Sequence, residues 1–461
     1  MNKKYLGWFG VFRLGLVQTS LGAIVVLTTS TINRIMVVEL ALPALLPGLL
    51  VGLHYAIQIT RPRMGYGSDT GGKRTPWILG GMLVLGLGGF LAAVSTSIIP
   101  ATPSAGIALA VVAFLMVGLG VGAAGTSLLV LLAKSVAPRY RGAAASSVWV
   151  MMILGFIVTS IVAGILLDPF SFDRLMLVTG SVSAVAFIVT CIAVAGLESR
   201  VSSIPDVDDA VANAAMAEKT SWEEEIAEAG FFASMKEVWS EPDSRRFSVF
   251  VFVSMLAYSA QDLILEPFAG SVFGMTPGQS TQLTGVQSAG VLSGMLMVAF
   301  VTSVIGGRFL GSLRRWTIVG CIASAIALAT LAIGGYIGIS FPLSLVVFAL
   351  GLANGAFAVA AIGSMMDLVG RGVRQREGVR MGMWGAAQAI AFGMGGIGAT
   401  LALDVGRVFL DDLASAYAIV FVIQALLFFW AAKLAAGVYQ PAESETTGQF
   451  SPGRIALEID R

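Results

Sequence analysis

Long apolar segments recur along the whole chain and are separated by short polar or glycine-rich stretches. Each segment holds about 20 residues, the length that a helix needs to cross the hydrocarbon core of a bilayer. The pattern therefore predicts membrane-spanning helices from one end of the chain to the other. We place twelve of them at residues 14–38, 44–66, 77–98, 106–134, 143–167, 174–197, 247–273, 282–306, 316–336, 340–366, 381–403 and 413–435.

Composition and charge agree with a multi-pass membrane protein. Hydrophobic residues make up 56% of the 461 positions and charged residues only 12%, whereas soluble proteins carry about 25% charged residues. Of the 28 lysines and arginines, only Arg34, Arg174 and Arg407 fall on the side of the membrane opposite to the termini. Because lysine and arginine accumulate on the cytoplasmic side, we expect both termini in the cytoplasm.

The two halves of the chain look like copies of each other. The stretch "GLGVGAAGTSLLVLLAKSVAPRYRG" from Gly118 parallels "GLANGAFAVAAIGSMMDLVGRGVRQREG" from Gly351, and Asp168 in "ILLD" parallels Asp404 in "LALD". Two repeats joined by a polar linker resemble the layout of the major facilitator superfamily. The predicted fold is therefore an all-α polytopic membrane protein, with twelve transmembrane helices in two six-helix repeats.

The polar stretches also set the expected domain boundaries. We expect an N-terminal six-helix bundle at 1–197, a cytoplasmic linker at 198–246, a C-terminal six-helix bundle at 247–435 and a cytoplasmic tail at 436–461. Within the linker, Ser221 and Glu224 form a capping-box pattern. This pattern predicts that a short helix begins there.

The loop after the second predicted helix resembles the gating-loop signature of the superfamily. Its sequence is "GYGSDTGGKR", and the matching residues are Gly65, Asp69, Gly72, Lys73 and Arg74. Glycines permit a tight turn, and Asp69 can pair with basic groups or a helix N-terminus to hold one gate state. The arginine that usually follows the aspartate is Thr70 here, so one charge partner is missing. A solvated turn that only obeys the positive-inside rule is the alternative.

His54 is the only histidine, and Gln58 follows it by one helical turn. A neutral imidazole can ligate a metal, including the magnesium of a chlorin. Gln58 could then accept the proton of the second ring nitrogen. The alternative is a histidine that only bridges helices through hydrogen bonds.

Polar residues are concentrated in the first and seventh predicted helices, which are counterparts in the repeat. They are Asn33, Arg34, Glu39, Gln261, Asp262 and Glu266. Charges inside a bilayer are costly, so we expect Arg34 to pair with an acid of the seventh helix. Asp262 and Glu266 share a helix face, and Pro267 leaves the carbonyl of Leu263 without its helical donor. A structural ion-pair cluster and a functional site explain this pattern equally well.

Several stretches together resemble one branch of the superfamily, the PucC-like bacteriochlorophyll-delivery (BCH) family. They are "NRIMVVELALPA", "LHYAIQITRPRMGYGSD", "KRTPWI", "KEVWSEPDSRRF" and "QDLILEPFAG". The resemblance implies a non-enzymatic assembly factor for bacterial light-harvesting antennae, above all the peripheral antenna, light-harvesting complex 2. It also implies a place in the bacterial inner or intracytoplasmic membrane.

The same resemblance implies a cargo and partners. Bacteriochlorophyll is the implied cargo, and antenna polypeptides and the bacteriochlorophyll-synthesising machinery are the implied partners, alongside the lipid bilayer. His54 and Gln58 would contact the pigment, with His54 as the ligand of its magnesium. No nucleic-acid partner is expected. The alternative is a proton-coupled transporter of a small solute, with Asp262 or Glu266 as the proton carrier. An enzyme of pigment synthesis is a more distant alternative.

Overall fold

The computed structural model describes residues 5–61, 73–137, 140–198, 236, 239–305, 312–369 and 377–438. Twelve long helices follow one another within these ranges. They are α1 (Trp8–Glu39), α2 (Leu45–Ile57), α3 (Thr75–Ile98), α4 (Pro103–Ser135), α5 (Arg141–Leu167), α6 (Phe172–Val194), α7 (Pro242–Phe273), α8 (Pro277–Phe300), α9 (Leu313–Ile337), α10 (Leu343–Val369), α11 (Glu377–Phe409) and α12 (Leu413–Val438).

The predicted layout of twelve helices is confirmed, with one difference of length. Eleven described helices are long and apolar enough to cross a membrane. The exception is α2, which has 13 residues and ends in the tighter turn Gln58–Thr60, although the sequence predicts a span at 44–66. Residues 62–66 of that span, most of the linker with its predicted helix at Ser221, and the tail from 439 lie outside the described residues. The seventh helix begins at Pro242, inside the predicted linker, rather than at 247.

The packing of the helices repeats between the two halves. In the first half α1 packs on α5 and α6, and α3 packs on α4 and α6. In the second half α7 packs on α11 and α12, and α9 packs on α10 and α12. These pairs are equivalent when six helices are counted from one half to the other. The sequence repeat is therefore also a repeat of structure.

The halves meet along two equivalent interfaces, α5 against α8 and α2 against α11, with α1 against α7 between them. Small residues bring the backbones together at both interfaces. A Cβ atom on Gly164 would lie 2.6 Å from the carbonyl oxygen of Gly278. On the other side, a Cβ atom on Gly48 would collide with Thr400. Close backbone approach of this kind is typical of helix packing in membranes.

The first helix is irregular where it faces the other half. Two π-helical turns interrupt it, at Leu27–Thr31 and Ile35–Glu39. In a π-helix each N–H group bonds to the carbonyl five residues earlier, so side chains five positions apart come onto one face. Such turns are frequent at functional sites.

Candidate functional site between helices α1, α2, α7 and α11

Arg34 is the most deeply buried charge among the described residues of α1, with a side chain only 2% exposed. Its Nη1 atom donates to Oε1 of Glu39 at 2.5 Å, and its Nη2 atom donates to the carbonyl of Met275 at 2.7 Å. Gly270 of α7 makes room for it, because a Cβ atom there would lie 2.9 Å from Nη2. The guanidinium thus joins α1 to the segment that follows α7.

The expected ion pair between Arg34 and an acid of the seventh helix does not form among the described residues. Arg34 pairs with Glu39 of its own helix instead. Positions five apart point in different directions on an α-helix, but the π-helical turn Ile35–Glu39 aligns them. The sequence prediction of the partner was wrong because it assumed regular α-helical geometry.

Asn33 precedes Arg34 and supplies a hydrogen bond that the backbone of α7 lacks. Its amide nitrogen donates to the carbonyl of Leu263 at 2.8 Å. Pro267 occupies the position whose N–H group would otherwise bond to that carbonyl. The sequence prediction that this oxygen lacks its helical donor is confirmed, and a side chain of the opposite half supplies the missing hydrogen bond.

Glu266 is 1% exposed and is held by hydroxyl groups rather than by an arginine. The hydroxyl of Thr284 in α8 donates to its Oε1 atom at 2.5 Å. Ser30 of α1 lies 3.4 Å from the same hydroxyl, and Thr31 and Thr281 are 3.0 Å apart in the next layer. Sequence reasoning missed the two threonines of α8, because isolated threonines in an apolar helix give no distinctive pattern.

Gln261 belongs to a different network from the rest of the predicted cluster. Its Oε1 atom accepts a hydrogen bond from Asn354 of α10 at 2.8 Å. Asn354 in turn accepts one from Ser324 of α9 at 2.8 Å. These bonds lie entirely within the second half, so the structure separates Gln261 from Arg34 and Glu39.

Asp262 lines a small cavity, with a free volume of about 20 Å³, where α1, α2, α7 and α11 meet. The side chains around it that bear on its chemistry are Thr29, Tyr55, Ser259 and Phe392. Among the described residues its carboxylate has neither a hydrogen bond nor an ion pair. Two helices of each half enclose this cavity, which makes it the candidate site for a small ligand.

His54 is buried, 1% exposed, and is not among the side chains that line the cavity. Its Nε2 atom lies 3.0 Å from the amide nitrogen of Gln58, whose oxygen accepts from Arg61. The contact with Arg61 fixes the orientation of the amide, so Gln58 donates to the ring. This geometry corrects the expectation that Gln58 accepts a ring proton. The Nδ1 atom has no hydrogen-bond partner among the described residues.

The gating-loop motif lies partly outside the described residues. Gly65, Asp69 and Gly72 fall in the undescribed stretch, whereas Lys73 and Arg74 are described. The N–H groups of Arg74 and Thr75 donate to the carboxylate of Glu198 at 2.5 and 2.9 Å. Glu198 therefore caps the start of α3 from the end of α6, a role that the sequence analysis did not assign to it.

The environment of Glu198 explains its ionisation. Burial raises the pKa of this carboxyl, but hydrogen bonds from the Thr75 hydroxyl and from the N–H groups of Arg74 and Thr75 outweigh it. The pKa therefore lies below the ordinary value of a glutamate. The group is charged at neutral pH and complements the positive end of the helix dipole.

Asp168 and Asp404, which the sequence repeat pairs, perform related tasks at the two interfaces between the halves. Asp404 at the end of α11 accepts from the N–H groups of Ala44 and Leu45 at 2.9 and 2.7 Å. Asp168 after α5 accepts from the hydroxyl of Thr276 at 2.8 Å. Each carboxylate thus contacts the start of a helix that belongs to the opposite half.

A family model and two relatives of known sequence point to the same protein family. The model of the family described as "PUCC protein" matches residues 31–442. The chain is 49% identical to the "Bacteriochlorophyll synthase 44.5 kDa chain" of Rhodobacter capsulatus, over 94% of this chain and 96% of that protein. It is 30% identical to "Protein PucC" of Cereibacter sphaeroides, over 86% of this chain and 83% of that protein.

Among solved structures the chain is similar to transporters. A peptide transporter POT in complex with sulfate has a TM-score of 0.63 and 14% identity, covering 93% of this chain and 95% of its own. A D-xylose-proton symporter has a TM-score of 0.61 and 14% identity, covering 92% and 97%. These likenesses show the fold alone, and the predicted fold of the major facilitator superfamily is confirmed.

Proposed function

Because this chain belongs to the PUCC protein family, we propose that it is a non-enzymatic assembly factor for a bacterial light-harvesting antenna. The family match over residues 31–442 is the observation that carries the proposal. We propose the peripheral antenna, light-harvesting complex 2, as the complex it serves. The protein acts by delivering bacteriochlorophyll to antenna polypeptides or by chaperoning those polypeptides, in contact with the bacteriochlorophyll-synthesising machinery.

We propose the bacterial inner or intracytoplasmic membrane as its location, with both termini in the cytoplasm. The eleven candidate membrane spans support a multi-pass protein. The orientation rests on the charge distribution, in which only Arg34, Arg174 and Arg407 fall outside. A reporter enzyme that is active only in the cytoplasm should be active when it is fused after residue 461. An inactive reporter would contradict the proposed orientation.

Deletion of the gene tests the antenna role. We expect assembled peripheral antenna to fall several-fold while total bacteriochlorophyll synthesis continues. The absorption spectrum of intact membranes gives the amount of antenna, and solvent extraction gives the amount of pigment. Complementation with the intact gene is the control. Loss of pigment synthesis itself would support an enzymatic role instead, and normal antenna levels would contradict the proposal.

The geometry of His54 restricts how it could ligate pigment. Its Nε2 lone pair is already occupied by the amide of Gln58, and its side chain is buried. The cavity beside α2 has a free volume of only about 20 Å³, whereas pockets for drug-sized ligands begin near 300 Å³, so bacteriochlorophyll does not fit into it. We therefore propose that His54 binds the magnesium in a second conformation, in which Gln58 releases the ring and the side chain is no longer buried.

Bound pigment per mole of folded protein tests this role. His54→Phe should lose the bound bacteriochlorophyll, and His54→Asn should keep part of it, because an amide oxygen can still ligate magnesium. Gln58→Met should retain the pigment, because it frees Nε2 without removing the ligand. Equal pigment in wild type and His54→Phe would show that the histidine only bridges helices.

A second candidate function, proton-coupled transport of a small solute, is favoured by one observation. Asp262 lies without an ion-pair partner, among the described residues, in a cavity between the two halves. A carboxylate in that position can take up and release a proton as the cavity opens to either side. The test is uptake of a small solute with and without a proton gradient. Uptake that stops when the gradient is removed would support this candidate and weaken the assembly role.

A further inference from the structure

The cavity at Asp262 has a chemical character that neither proposed function requires. It lies between the halves, and its polar lining comes from Thr29 of α1, Tyr55 of α2, and Ser259 and Asp262 of α7. Among the residues that the structure describes, no lysine, arginine or histidine lines it. The cavity therefore presents one negative charge and no compensating positive charge.

Two of the hydroxyl groups beside Asp262, those of Thr29 and Ser259, donate their protons to backbone carbonyls. The hydroxyl of Thr29 donates to the carbonyl of Val25 at 2.9 Å. The hydroxyl of Ser259 donates to the carbonyl of Ala391 at 3.2 Å. Each of these oxygens keeps lone pairs but has no proton left to give. Together with the carboxylate of Asp262, they form a set of hydrogen-bond acceptors.

The remaining wall of the cavity is aromatic. The rings of Tyr55 and Phe392 both line it and lie 5.4 Å apart. Aromatic faces attract cations, and most of all organic ammonium groups that have lost their water. A strongly hydrated metal ion gains less from such a wall, because it must give up its water to enter.

We propose that this cavity binds a small protonated amine, a primary alkylammonium such as methylammonium or ethylammonium. An ammonium group carries hydrogen-bond donors and no acceptor, so it matches the acceptor oxygens of Asp262, Thr29 and Ser259. Its positive charge neutralises Asp262, which lowers the cost of a carboxylate inside the membrane. Its short alkyl group packs against Tyr55 and Phe392, and a free volume of only about 20 Å³ limits the ligand to the smallest amines.

Thermal unfolding of the full chain in detergent at pH 7 tests the proposal. Ethylammonium chloride should raise the melting temperature in a saturable manner above the effect of equal sodium chloride. Tetramethylammonium chloride, which has no N–H donor, should have no more effect than sodium chloride. Asp262→Asn should lose the specific rise. Glu266→Gln is the matched control and should keep it, because Glu266 is bonded to Thr284 and lies outside the cavity lining.

A second variant keeps the test decisive if Asp262→Asn does not fold. Gly393 lines the cavity, and a Cβ atom on it would meet no atom within 4 Å. Gly393→Leu should therefore fill the cavity without changing any charge, and it should abolish the response to ethylammonium. The proposal is overturned if the wild type responds equally to ethylammonium, tetramethylammonium and sodium, or if Gly393→Leu responds like the wild type.

Discussion

The two interfaces between the halves and the α1–α7 contact differ in how faithfully they follow the internal repeat. At the interfaces, Asp168 and Asp404 occupy equivalent positions and contact the starts of α8 and α2. Along α1 and α7 the polar residues differ in both kind and contacts. Arg34 is held by a π-helical turn and Glu39, whereas Asp262 faces a cavity without a partner among the described residues.

This difference separates the scaffold from the site. The contacts of Asp168 and Asp404 hold the two halves together at equivalent interfaces, so equivalent residues can make them in both halves. Helices α1 and α7 face the shared centre, where one ligand site needs a single arrangement rather than two equal ones. The departure from the repeat therefore marks the part of the molecule that we associate with function.

The largest expected effect comes from Arg34. Arg34→Met should destabilise the protein by about 2–3 kcal/mol, because Glu39 and the Met275 carbonyl both lose their partner. This value lies below that of a fully buried pair, since Glu39 remains 32% exposed. Chemical unfolding in detergent measures the change.

A double-mutant cycle identifies the partner of Arg34. The cycle with Glu39→Gln should show coupling, and the cycle with Glu266→Gln should be additive within about 0.5 kcal/mol. Stronger coupling to Glu266 would show that Arg34 interacts with the acid of α7 rather than with Glu39 of its own helix. The contrast between α1 and α7 would then be wrong.

The two equivalent aspartates should differ in strength. The residue at the start of α2 is Ala44, which has no side chain to cap the helix, so Asp404 provides that cap from the other half. In contrast, α8 has its own capping box from Thr276 and Gln279. We expect Asp404→Asn to cost about 1 kcal/mol and Asp168→Asn about half of that. Thermal unfolding of both variants checks the order, and a larger loss for Asp168→Asn would contradict it.

Asn33 and Pro267 should depend on each other. Asn33→Ala should cost about 1 kcal/mol, because the carbonyl of Leu263 is left without a donor. In a Pro267→Ala background the helix regains its own N–H donor for that carbonyl, so the same substitution should cost less. Equal losses in both backgrounds would mean that Asn33 does not compensate for the proline.

The smallest effect concerns the contacts within two equivalent helix pairs, α3 with α6 and α9 with α12. In the first half Glu198 after α6 caps α3, whereas in the second half Arg314 of α9 donates to the carbonyl of Ala436 in α12 at 2.6 Å. The pKa of Glu198 is lowered in the folded state. Its contribution is therefore complete above the unfolded pKa of about 4.3 and is lost as pH falls through the lower folded value.

Glu198→Gln should thus cost a few tenths of a kcal/mol at pH 7, because the group is partly exposed. The difference from the wild type should begin to shrink below about pH 4 and should disappear once the pH falls below the folded pKa. A loss from Glu198→Gln that stays constant down to pH 3 would contradict the proposed cap.

Periodicity and length alone predicted the helices, their order, the two-fold repeat and the pairing of Asp168 with Asp404. The free carbonyl of Leu263 was also predictable, since it follows from the chemistry of proline. The partner of Arg34 was not, because it depends on a π-helical turn that a helical pattern does not reveal. For Gln261, Asp262 and Gln58 the sequence predicted the helical segment correctly, but it did not predict which side chains they contact. In helices that are apolar all round, the sequence leaves rotation and depth undetermined, and these decide which side chains meet.

The antenna role is tested most directly by purifying the protein in mild detergent from cells that make pigment. The purified material is scored for bacteriochlorophyll by absorption and for antenna polypeptides by gel electrophoresis. We predict that pigment or antenna polypeptide accompanies the protein in a fixed ratio, and that neither accompanies an unrelated multi-pass membrane protein purified in parallel. A protein that emerges free of both would contradict the proposed function.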